Sequence, residues 1–140
     1  MLSAVVERLK LTVTDAPDVI MAEDLDAIIQ SLQRDSGTIF VIPFRERAKA
    51  NSLATSYRQL INEQFLVAVL LRHHGDELGT MKAKLFSPVK RGIERALAGW
   101  EPDDNTDPLE LVGGEGTPIG NGVTVYIQTW ETNRLLTQED

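Results

Sequence analysis

Four groups of residues have types and spacings from which chemistry could be built. His73 and His74 are the only histidines, and Asp76 and Glu77 follow them closely. Imidazole and carboxylate suit a divalent ion. Adjacent residues on a strand point to opposite faces, however, so neighbouring histidines rarely close on one ion. A turn at a strand end is the reading here. Gly113, Gly114, Gly116, Gly120 and Gly122 make a glycine-rich stretch. A phosphate-cradling loop needs GxxxxGK[ST] between a strand and a helix. The lysine is missing, no helix follows, and the nearby charges are acidic, so a bend and a hairpin are expected. Asp103, Asp104 and Asp107 put three carboxylates in one loop. The central glycine and closing bidentate glutamate of a calcium loop are absent. No Ser-His-Asp order and no HExxH occurs. With no cysteine, a thiolate nucleophile, a disulfide scaffold and a Cys-type zinc site are excluded. The chain is read as a non-enzyme, with no catalytic residue, no cofactor and no metal site.

The fourth group is basic. Arg45, Arg47, Lys49 and Arg58 gather around a single acid, Glu46. Guanidinium groups favour bidentate pairing with carboxylates. A docking surface toward an acidic neighbour is one reading; a solvated loop and a DNA contact are the others. The charge distribution supplies such a neighbour. The net charge is −7, yet residues 1–98 hold 13 basic and 12 acidic side chains. Residues 99–140 hold nine acidic side chains and one basic, Arg134. That argues against general nucleic-acid binding by the last third. It suits heterologous association of identical subunits, which closes into a ring if the rotation permits. Solubility charge in polar loops is the plain alternative.

The elements that must position these groups follow from periodicity. A chain of 140 residues suits one domain, here residues 1–136 with a disordered tail at 137–140. Helices are expected over 2–13 and 22–33 from their apolar spacing. Residues 38–42 read as a buried strand before Pro43. Residues 56–72 read as one long strand whose second half is apolar on both faces. Such a strand would span over about 50 Å, so it should bulge, bend or project as an arm. It pairs with 39–44 as a hairpin whose tip, 45–55, carries Arg45, Arg47 and Lys49. Residues 77–98 form the principal helix, with a restart or kink at Pro88. Gly99 ends it, and Trp100 packs back on the core. A short strand at 109–112, a bend at Gly113-Gly114, a turn at Asn121-Gly122 and a strand from 122 to 134 complete the chain. The order is α-α-β-β-α-β-β. The fold class is α+β, an antiparallel sheet of about four strands with helices on one face. The longest apolar runs, such as 65–71, are too short to span a bilayer. The N-terminus reads without a signal peptide.

Two stretches resemble a known family. One is Pro43-Phe44-Arg45-Glu46-Arg47-Ala48, Asn51, Tyr57-Arg58-Gln59, then Phe65-Leu66-Val67-Ala68-Val69. The other is Ala96-Leu97-Ala98-Gly99-Trp100-Glu101-Pro102, Pro108-Leu109-Glu110-Leu111-Val112-Gly113-Gly114, then Val125-Tyr126-Ile127-Gln128-Thr129-Trp130-Glu131-Thr132. They are similar to the tail terminator, or tail completion, proteins of long-tailed bacteriophages. The resemblance implies a structural virion protein: a homo-hexameric ring on the head-proximal end of the tail tube, assembled in the host cytoplasm. Such a ring stops tube growth and forms the surface to which the filled head docks. The implied partners are other copies of itself, the tail tube protein and head–tail connector proteins. DNA would pass through the ring without specific binding, and no membrane is involved. The family implies a small α+β domain. Asp103, Asp104 and Asp107 would then line an acidic lumen or meet a neighbour. Another head–tail connector or tail component remains an alternative, as does an α+β domain that binds or converts a small ligand.

Overall fold

A computed structural model describes residues 1–30, 34–51, 57–72, 78–120 and 122–138. The turn expected at His73 and His74, part of the expected hairpin tip (52–56), the end of the expected second helix (31–33) and Asn121 lie outside the described residues. So do the side chains of Leu78, Met81 and Leu85. The elements are α1 (Leu2–Thr12), β1 (Val19–Met21), α2 (Leu25–Gln30), β2 (Ile39–Ala48), β3 (Arg58–Arg72), α3 (Leu78–Leu97), β4 (Glu110–Gly120) and β5 (Val123–Thr137). The fold is α+β, and its sheet has the order β1-β2-β3-β5-β4.

Two expectations about the layering of the fold change. The sheet has five strands and is mixed, because β1 pairs parallel to β2 from Val19↔Ile39 to Met21↔Val41. Three residues are too few to show alternation, and their pairing is long-range. The helices also do not share one face. Val5, Val6 and Leu9 of α1 and Val89, Ile93, Ala96 and Leu97 of α3 pack with Ile39, Val41, Phe65, Val67, Val69, Leu71 and Trp130. Ile28 of α2 packs on the opposite face, with Phe40, Ile42, Leu66, Ala68, Leu70, Val123 and Val125. A strand apolar on both faces needs cover on both, and α2 supplies the second. Each buried aliphatic side chain there contributes about 1.5–3 kcal/mol.

Local chemistry explains the ends. Asp24 caps α2, its Oδ1 accepting from the Ala27 N–H at 3.0 Å. α3 is continuous, with Pro88 inside it, so the expected restart is absent. An interior proline costs about 3 kcal/mol, and the buried face of Val89, Ile93, Ala96 and Leu97 offsets it. Gly92 lets α3 lie close to α1, since a Cβ there would come 3.1 Å from Val13 Cγ1. β3 carries no bulge against β5: the two pair in unbroken register from Arg58↔Thr137 to Arg72↔Val123. The irregularity falls in β2 instead, between Pro43 and Arg45. The expected bend at Gly113-Gly114 is a register shift between Leu111 and Gly113 inside β4. β5 reaches Thr137, one residue into the segment expected to be disordered.

Candidate functional site

The three central strands continue past the packed core. β2 is buried from Ile39 to Ile42 and exposed from Pro43 to Ala48. β3 is buried from Phe65 to Leu71 and mostly half-exposed before that. Residues 43–48, 58–64 and 131–137 thus form a three-stranded arm with polar residues on both faces. Arg45 and Arg47 lie within β2, not in a loop at the tip as the sequence suggested. The backbone ladder runs on to Lys49, whose N–H donates to the Leu60 carbonyl at 2.9 Å. The apolar signal ended at Pro43, but β2 is held beyond it by pairing to β3.

Alternation puts Arg45, Arg47, Lys49 and Arg58 on one face of the arm. Arg45 Nε donates to Gln64 Oε1 at 2.8 Å, and Gln64 Nε2 donates to Glu131 Oε2 at 3.0 Å. Asn62 Nδ2 donates to Glu131 Oε2 at 3.2 Å and to Asn133 Oδ1 at 3.1 Å. Arg47 stands opposite Asn62 in the ladder. Arg58 opens β3 at the far end of the arm, paired with Thr137. It is therefore on the central strand, away from the border that carries the other three.

The other face holds a cluster that sequence reasoning missed. Glu46 sits directly across from Glu63. Arg134, the lone base of the acidic third, donates through Nε to Glu63, and its Nη2 lies 3.8 Å from Glu46 Oε1. The hydrogen bond with Glu63 raises the Glu46 pKa, burial and the Glu63 charge add to the rise, and Arg134 opposes it. The residue types alone gave no signal, because three different strands supply them.

Asp103, Asp104 and Asp107 are exposed on the loop that borders the arm on its other side. The Asp107 N–H donates to the Asn133 carbonyl at 2.9 Å, and Thr106 bridges to Arg134. Thr132, almost fully buried, donates through Oγ1 to the Asp107 carbonyl at 2.5 Å. The loop is clasped at its base. Gly99 takes φ +76° and ends α3. Its N–H donates to the Leu109 carbonyl, and the Leu109 N–H donates to the Trp100 carbonyl, both at 2.9 Å. Arg8 covers the Trp100 ring at 5.1 Å and donates through Nε to the Ala96 carbonyl at 2.9 Å. The Gly-Trp-x-Pro and Pro-Leu-Glu pieces are thus the two ends of a closure that fixes the acidic loop against the sheet.

Arg45, Arg47 and Lys49 on one border and Asp103, Asp104 and Asp107 on the other therefore flank one arm, separated by β3 and β5. The arrangement offers ionic and hydrogen-bonding recognition along two borders. Among the described residues no group of three or more His, Asp or Glu side chains is placed to hold a metal ion, and no helix is long and apolar enough to cross a membrane.

This is an α+β domain with an extended, charged sheet border. The chain belongs to the phage tail terminator family: the family model described as "Phage tail terminator protein" matches residues 1–139. Membership carries a structural role in a phage tail, and so a place in a virion. Among solved structures, a chain of the "Virion of native gene transfer agent (GTA) particle" has a similar fold, with a TM-score of 0.61 and 12% identity. The match covers 97% of this chain and 95% of that one. No curated protein sequence matches.

Proposed function

We propose that this protein caps the head-proximal end of a phage tail tube as a homo-hexameric ring. The cap ends tube polymerisation and forms the surface to which head–tail connector proteins dock. The tail tube protein meets one side of the ring, and DNA passes through it without specific binding. The protein works as structure, without catalysis. Family membership over residues 1–139 carries this reading. The arm supports it, because opposite charge on its two borders suits repeated head-to-tail contacts.

Tube assembly with the cognate tube protein tests the reading. Tubes elongating alone should stop when the protein is added, and electron microscopy should show six-fold density at one end. Unchanged elongation with bare ends would refute it.

A further inference from the structure

Opposite borders of the arm match level by level. The ladders connect the β2 border to the far border through three steps across the sheet. At the first level, Pro43 leads across Phe65 and Trp130 to Leu111. At the second, Arg45 leads across Gln64 and Glu131 to Glu110. At the third, Arg47 leads across Asn62 and Asn133 to the backbone of Asp107. The first level is apolar at both borders: Phe44 is 50% exposed, Leu111 45% and Val112 52%. The next two are basic on the β2 side and acidic on the other, with all four side chains exposed.

Direction matches as well. β2 and β5 both run antiparallel to β3, and the far border runs antiparallel to β5. Two copies set side by side in the same orientation would therefore bring antiparallel segments together, the commoner pairing. β1 covers the outer side of β2 only from Ile39 to Val41. Among the described residues no strand lies outside β2 beyond that point.

We infer that a second copy of this chain occupies the β2 border. Residues 43–49 of one copy lie along residues 103–112 of the next. Phe44 meets Leu111 and Val112, Arg45 meets Glu110, and Arg47 with Lys49 meets Asp107 and the Asp103-Asp104 turn. The acidic loop is then an interface and does not line a lumen. The inference deepens the ring reading and rests on it only for closure at six.

The chain has no cysteine, so paired cysteines report the contact without background. Within one copy, Arg47 and Asp107 are three strand spacings apart, about 14 Å, too far for a disulfide. Under mild oxidation, Arg47→Cys mixed with Asp107→Cys should give a covalent dimer. The double variant should give a ladder of higher oligomers, and each single variant alone should give no such product. A second arm uses charge. Arg45→Glu with Arg47→Glu should weaken self-association about tenfold or more, and adding Glu110→Lys with Asp107→Lys should restore it. Oligomers or capped tubes without cross-linking would overturn the border contact and leave the cap reading standing. Cross-linking without tube capping would uphold the contact and sink the cap. No cross-link and no association at any protein concentration would overturn the contact.

Discussion

The same three strands behave differently at their two ends. At one end β2, β3 and β5 bury Phe40, Phe65 and Trp130 between helices on two faces. At the other end they continue in the same ladder with Arg45, Gln64 and Glu131 hydrogen-bonded across one face. Backbone pairing is alike in both halves. What differs is what the side chains displace: water from apolar surface in the core, water from polar groups in the arm. Hydrophobic burial contributes kilocalories per side chain, whereas exposed ion pairs contribute about 0–1 kcal/mol. Stability therefore sits in the first half, and the second half is free to carry recognition.

That contrast breaks most sharply at Trp130, the largest side chain in the core and fully buried. Trp130→Ala should cost about 3–5 kcal/mol, read as a lowered urea midpoint. A loss under 1 kcal/mol would remove the core's claim to stability. Gly114 and Gly113 sharpen it next. A Cβ on Gly114 would strike the Tyr126 hydroxyl, while one on Gly113 meets nothing within 4 Å. Tyr126 is itself held edge-on to Phe86 with centroids 4.7 Å apart. Gly114→Ala should thus cost about 1–2 kcal/mol, and Gly113→Ala under about 0.5 kcal/mol; equal thermal midpoints for the two would contradict the packing at Tyr126.

Within the arm, Arg134→Met strands Glu46 against Glu63. Its cost should be about 1 kcal/mol, reduced by the partial exposure of the pair. Amide exchange should quicken at 58–64 and stay slow at 65–71; uniform quickening would make the two halves one cooperative unit. Arg45→Gln with Arg47→Gln should change stability by under about 0.5 kcal/mol while weakening self-association. A lowered melting temperature would show that these side chains hold the fold.

The smallest effect is a pH dependence. The Glu46 pKa is raised in the folded state, so that state takes up its proton more readily than the unfolded chain. The resulting stabilisation is complete below the ordinary carboxylate pKa and fades as pH rises through the raised value. Between pH 4 and 7, Glu46→Gln should therefore flatten the fall in urea stability with rising pH. An unaltered slope would place the proton elsewhere.

Much of this was legible in the sequence because it is local. The alternation of Val123, Val125 and Ile127 against Tyr126, Gln128 and Trp130 is a property of adjacent residues, and β5 sends Val123, Val125 and Ile127 to one core cluster and Tyr126 and Trp130 to the other. Gly99 after an apolar helical stripe marks the end of α3 in the same way. The apolar run of β3 demanded cover on both faces. It could not say that α2 supplies the second, because nothing local ties Ile28 to Leu66. Nor could it show β2 running on through Arg45 and Arg47, since hydrogen bonds to β3 hold that segment and burial does not. The sequence alone put all but one of the basic residues before residue 99 and left the last third acidic. Only the tertiary register decided that they stand level on opposite borders of one arm. The reason is physical: periodicity is written in neighbours a few residues apart, whereas Glu46, Glu63 and Arg134 meet through ladder pairings between strands far apart in the chain.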